Sequence, residues 1–130
     1  MDRLGERVEG LAHDAIGAAI EVHQRLGCGY REKVYGNALA LEMADQEIPF
    51  ERQCRFEVEY KGEKVGGGQI DFVVGGRLIV ELKVVSELVD EHKSQVISYL
   101  KGTGNELGLL LNFNRATLQE GIERVIFTKH

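Results

Sequence analysis

From Leu4 to Leu26 apolar side chains recur every three or four residues: Leu4, Val8, Leu11, Ala12, Ala15, Ile16, Ala19 and Ile20. That spacing gathers them on one face of a long amphipathic helix. Gly27-Cys28-Gly29 stops it. A second helix is predicted from about Tyr30 to Asp45, with Val34, Ala38 and Leu41 on one face, and Pro49, the only proline, marks the exit into extended chain.

The period then drops to two. Cys54, Phe56, Val58 and Tyr60 alternate with Arg55, Glu57 and Glu59, the pattern of a half-buried strand. After a turn at Lys61-Gly62-Glu63, strand-like sequence resumes at Lys64 and reaches Val74 through Gly66, Gly67 and Gly68. Gly75-Gly76 signals a hairpin, and Arg77 to Val85 reads as a third strand. Asp90 is placed to cap a helix from about Glu91 to Lys101, which Gly102 and Gly104 end. Leu107 to Leu111 is continuously apolar, as a central buried strand would be, and Ile122 to Thr128 reads as a final edge strand. The order predicts an α/β fold: a mixed sheet of about five strands flanked by helices, in which an antiparallel meander is joined to a further strand through a crossover helix.

Length and composition narrow the class. A chain of 130 residues, 43% hydrophobic and 28% charged, is expected to form a single domain with a core that needs no disulfide. Residues 1–10 hold no apolar run suited to a signal sequence, and no stretch approaches the ~20 apolar residues of a membrane span. A cytoplasmic protein with no membrane partner is therefore expected, with Cys28 and Cys54 as reduced thiols. Those two make no C-x-x-C pair and exclude a four-thiolate metal site within one chain. A net charge of −5 argues against a protein that coats nucleic acid electrostatically, while leaving room for a local basic rim, for which Lys61 and Lys64 are candidates.

Charge in the wrong place is the strongest chemical signal. The predicted third strand is apolar on both faces except for Glu81 and Lys83, which lie two apart and share a face. The preceding strand carries one carboxylate, Asp71, within Ile70 to Val74. Burying an unpaired charge is costly, so such residues in apolar strands suggest a site. Two carboxylates suit a hard cation such as Mg²⁺ or Mn²⁺, and a neighbouring lysine suits charge stabilisation or the orientation of a water. A solvent-facing salt bridge between Glu81 and Lys83 on an edge strand would give the same pattern. The hairpin decides whether Asp71 and Glu81 can meet. A two-residue Gly75-Gly76 loop would set Asp71 opposite Val80 and turn the carboxylates to opposite faces; adding Arg77 to the loop sets Asp71 opposite Glu81. An odd-length turn or a bulge is therefore expected, with a left-handed residue closing the loop.

Gly29-Tyr30-Arg31-Glu32-Lys33-Val34-Tyr35 matches the signature of the GxxExxY proteins, which are grouped with PD-(D/E)XK nuclease-like domains. The resemblance continues through Val22-His23, Leu26-Gly27, Gln69-Ile70-Asp71, Ile79 to Lys83, Gln95, Tyr99 and Leu110 to Phe113, from about Ile16 to Val125. It implies a nuclease-like core in which Asp71, Glu81 and Lys83 form the catalytic metal site. It further implies Glu32 as a helical carboxylate completing that site, Gln95 and Tyr99 as RecB-like helix residues acting beside it, and His23 as a candidate metal ligand. Each has a plainer alternative: Glu32 as a first-turn carboxylate favoured by the helix dipole, His23 as a satisfied helix residue, Tyr99 as packing, Gln95 as surface. His13, His92 and His130 make no ligand spacing, and Gly66 to Gly68 lack the residues of a phosphate loop. The function implied is a metal-dependent nuclease acting on DNA or RNA. The alternative is a catalytically weak or inactive nuclease-fold binding or regulatory module, acting as a subunit or homodimer.

Overall fold

The computed structural model describes residues 5–128. Its elements run α1 (Glu6–Leu26), α2 (Glu32–Asp45), β1 (Phe50–Tyr60), β2 (Glu63–Val74), β3 (Leu78–Lys83), α3 (Asp90–Thr103), β4 (Leu107–Asn112) and β5 (Ile122–Ile126). Leu4, His130 and the other four terminal residues lie outside the described part. The strands form one five-stranded sheet in chain order, antiparallel except where α3 carries β3 into β4, which pair in parallel. This is the mixed sheet with a crossover helix that the pattern predicts.

Two apolar layers sandwich the sheet. On one face α1 and α2 pack Ala12, Ala15, Ala19, Tyr35, Leu39 and Met43 against Phe72, Val80, Leu82, Leu109 and Phe113. On the other, Val96, Tyr99 and Leu100 of α3 cover Ile70, Ile79, Leu110 and Val125. The small residues of α1 let that helix lie close to its neighbours. In α2 the buried residues are Tyr35, Gly36, Leu39 and Met43, whereas Val34 and Leu41 are exposed. The apolar face expected for that helix is therefore corrected: the aromatic ring of Tyr35, stacked on Phe113 at a centroid distance of 4.6 Å, decides which side turns inward.

Boundaries shift for physical reasons. Gly27, at φ 70°, ends α1 by donating its N–H to the His23 carbonyl. α3 begins at Asp90 itself, and the expected Asp90 cap is replaced by His92, whose Nδ1 accepts from the Val89 N–H at 3.0 Å. β1 starts at Phe50, directly after the proline. Its far end, with β2, leaves the core as a two-stranded arm, so Val58 and Tyr60 are exposed rather than inward.

The arm bends at one place. Arg52 pairs with Phe72 and Cys54 with Ile70, but Gln53 and Asp71 between them drop out of the ladder, and Gln53 sits at φ 54°. Residues two apart normally share a face. Here Phe72 belongs to the α1/α2 layer and Ile70 to the α3 layer; Phe50 and Cys54 divide the same way. Both strands turn over together at Gln53 and Asp71, with no change of register.

The hairpin between β2 and β3 follows the odd-length expectation. Val74 pairs with Leu78 and Phe72 with Val80, leaving Gly75-Gly76-Arg77 as the loop. The left-handed residues open the loop instead of closing it: Gly75 has φ 59° and Gly76 φ 71°. A Cβ on Gly75 would also lie 2.6 Å from a Leu11 methyl, whereas one on Gly76 would meet nothing within 4 Å. Left-handed backbone costs a residue with a Cβ about 1–2 kcal/mol. Gly76→Ala should lose that amount in denaturant unfolding, and Gly75→Ala measurably more. Equal losses would show that Leu11 yields without cost.

Candidate active site

β3 is the third of the five strands and Glu81 is only 4% exposed, so a solvent-facing edge is excluded. One step beyond the last β2–β3 ladder pair, the same register sets Asp71 opposite Glu81. There the two strands separate, and side chains replace the ladder. The Asp71 N–H donates to Glu81 Oε2 at 3.2 Å, and the Leu82 N–H donates to Asp71 Oδ2 at 2.9 Å. The carboxyls are thus held in a fork by backbone donors that the parting strands would otherwise leave unpaired.

Electrostatics follow from that confinement. Burial, the side-chain hydrogen bond with Asp71 and the charge of Asp71 push Glu81 up to about 9, against the smaller opposing pull of the Asp71 N–H and Lys83. Lys83 also lies on the α3 side, its Nζ donating to Gln95 Oε1 at 3.0 Å. The Tyr99 hydroxyl is raised by burial and by the charges of Glu81 and Asp71. Its ring meets Phe56 edge-on, at a centroid distance of 5.1 Å, so the arm braces it.

Glu32 opens α2 beside this pair. It stands at the exposed mouth of a cleft of about 370 Å³ whose walls include Asp71, Phe72, Leu82, Lys33 and Arg52. Partial burial and the charge of Asp71 raise its carboxyl, with Lys83 opposing. The surrounding signature has plain structural parts: Gly29 adopts φ 111°, and Tyr35 donates its hydroxyl hydrogen to the Gly27 carbonyl, tying α2 to the end of α1.

Asp71, Glu81, Lys83, Gln95, Tyr99 and Glu32 are therefore neighbours. His23 is not brought to them: its Nε2 lies 2.9 Å from the Arg115 carbonyl and 3.8 Å from Cys28 Sγ, with its ring against Phe113. Among the described residues no three His, Cys, Asp or Glu side chains converge as a ready-made metal-holding group. Asp71 and Glu81 close on each other instead, and Glu32 reaches them through charge rather than contact. The donor set nonetheless suits a hard divalent cation, whose charge would relieve the forced proton on Glu81. Cys28 and Cys54 form no disulfide, and no described helix is long and apolar enough to cross a membrane. Of the proposed rim, Lys64 is paired with Glu57 at 2.9 Å and Lys61 lies over the Tyr60 ring.

Arg52 escaped the sequence reading. It is half-buried over the Phe72 ring, 5.5 Å from the centroid, and its Nη2 donates to Asn37 Oδ1 at 2.8 Å. The available signal was a charge at the inward phase of the alternation Phe50, Arg52, Cys54, Phe56.

Comparison with known proteins places the fold. A family model described as the PD-(D/E)XK nuclease superfamily matches residues 9–125. The crystal structure of SSO0001 superposes with a TM-score of 0.57 at 16% identity, covering 75% of this chain and 50% of that one. The likeness is one of fold, and the chain spans half the length of that protein. No curated protein sequence matches.

A carboxyl raised on folding binds an extra proton in the folded state. Stability from that proton is complete below the ordinary Glu value of 4.5 and is lost as pH rises toward about 9. For metal-free protein this slope is at most about 1.4 kcal/mol per pH unit. Glu81→Gln, which imitates the protonated acid, should flatten it. The variant should melt above wild type at alkaline pH, with the gain vanishing in mild acid. Parallel melting curves across that range would contradict a proton held on Glu81.

Proposed function

The chain belongs to the PD-(D/E)XK nuclease superfamily, and from that membership and the buried carboxylate pair we propose a divalent-metal-dependent nuclease acting on DNA or RNA. The pair is the observation that carries the reading. A protein that needed only stability would gain from apolar residues at Asp71 and Glu81. Asp71 and Glu81, with Glu32 as a third oxygen donor, would hold Mg²⁺ or Mn²⁺. When bound, the cation supplies positive charge that polarises a phosphoryl oxygen and lowers the pKa of water.

This chain's own residues supply the rest. Gln95 fixes the Lys83 ammonium on the α3 side, where it stabilises negative charge developing on a phosphate or orients the attacking water. Tyr99, its hydroxyl raised by burial and by its acidic neighbours, donates a hydrogen bond into the same space. Asp71, anchored through the Leu82 N–H, keeps one carboxylate in place. The self-closed carboxyl pair favours a second reading, a binding module without turnover. Cleavage assays separate the two.

With Mg²⁺ or Mn²⁺ and labelled single- and double-stranded DNA and RNA, wild type should cut at least one substrate. Lys83→Ala should lose about 10²–10³-fold in rate while melting cooperatively. Undiminished cleavage by folded Lys83→Ala would refute the lysine's role; no cleavage by wild type under any condition would leave the module reading. Mg²⁺ or Mn²⁺ should raise the melting temperature of wild type and not of Asp71→Asn. Equal shifts would place the ion elsewhere.

A further inference from the structure

Gly36 lies in the interior of α2, where glycine costs roughly 1 kcal/mol relative to alanine. Its position has a specific occupant: a Cβ there would stand 2.9 Å from Arg52 Nη2. The guanidinium is thus seated by three features, the space above Gly36, the Asn37 carbonyl oxygen and the face of Phe72. None of them is charged. Among the described residues no carboxylate comes within ion-pair distance of Arg52. A half-buried planar guanidinium with a neutral seat and a cleft in front of it retains donors for a pair of anionic oxygens.

We propose that Arg52 binds a backbone phosphate of the nucleic-acid substrate, flanking the one that is hydrolysed, and that Gly36 exists to admit its guanidinium. The inference rests on the nuclease reading for the identity of the substrate. The flanking position follows from the sheet. Lys83 is anchored to α3 and Arg52 to α2, on either side of Asp71, which suits the two cations to successive phosphates. Asp71 lies between them, at the place where β2 turns over, and lines the same cleft as Arg52. A strand laid across that fork presents one phosphate to Glu81 and Lys83 and its neighbour to Arg52. Lys33 on the cleft wall adds positive charge to the Arg52 side.

The test measures binding separately from cutting. Full-length protein carrying Lys83→Ala, with Mg²⁺ present, is titrated into fluorescein-labelled single-stranded and duplex oligonucleotides, and anisotropy is read across a salt series. Adding Arg52→Gln should weaken binding about tenfold and flatten the plot of log affinity against log salt by about 0.7 for single strands or 0.9 for duplex. Arg52→Lys should restore the slope and only part of the affinity. Gly36→Ala is the sharper probe. The clash falls on the end of a flexible side chain, so the helix should be as stable as before or more so, while binding falls as in Arg52→Gln. Wild-type affinity and slope in Arg52→Gln would overturn the proposal, as would unchanged binding in Gly36→Ala. Oligonucleotide binding that depends on Arg52 in a protein that never cuts would uphold it while the nuclease reading fell. Absence of binding by the Lys83→Ala parent and by wild type alike would remove both.

Discussion

Two carboxyls share a space that has room for one negative charge, and much of the sheet is arranged to keep them there. Glu81 is fixed by a central strand whose neighbours are apolar, and Asp71 by the point at which β2 abandons β3. Each takes a backbone N–H from the other strand. The two hydrogen bonds stand in for ladder bonds, so the fork is satisfied only while both acids remain. Removing one leaves a buried donor without an acceptor, a penalty separate from any loss of chemistry.

The cover over that fork is also built from residues with no chemical part in it. Phe56 lies against Tyr99, and a Cβ on Gly68 or Gly102 would meet its ring at under 3 Å. Two glycines on different elements therefore make one slot for one aromatic ring. Through that slot the outlying arm is fastened to α3, and Tyr99 is held facing the acids.

Much of this was legible in the chain. The switch from helical to alternating spacing gave the element order, because burial imposes those periods directly. Glu81 and Lys83 stood out because charge inside an apolar strand needs a reason, and counting residues around Gly75-Gly76-Arg77 fixed which strand positions could meet. The failures were equally physical. The inward side of α2 differs from the expected one because an aromatic stack, not the aliphatic spacing, orients it. His23 looked available as a ligand, but a carbonyl 92 residues further along the chain takes its Nε2, a partner no local pattern reveals. Arg52 precedes Cys54, where the clear alternation begins, although the strand itself starts four residues earlier at Phe50.

The overturned step at Gln53 and Asp71 carries a consequence for descent. Because the pairing register is the same on either side of it, the extra half-twist must be present in both strands at once. A deletion in β1 alone would slide every later pair and bring Cys54 and Phe56 out of the layer they fill. The same deletion in β2 would strip the fork of its acid. Lineages descending from this chain are thus free to vary the length of the arm at its tip, where Val65 already bulges, but at its root insertions and losses are heritable only in matched pairs.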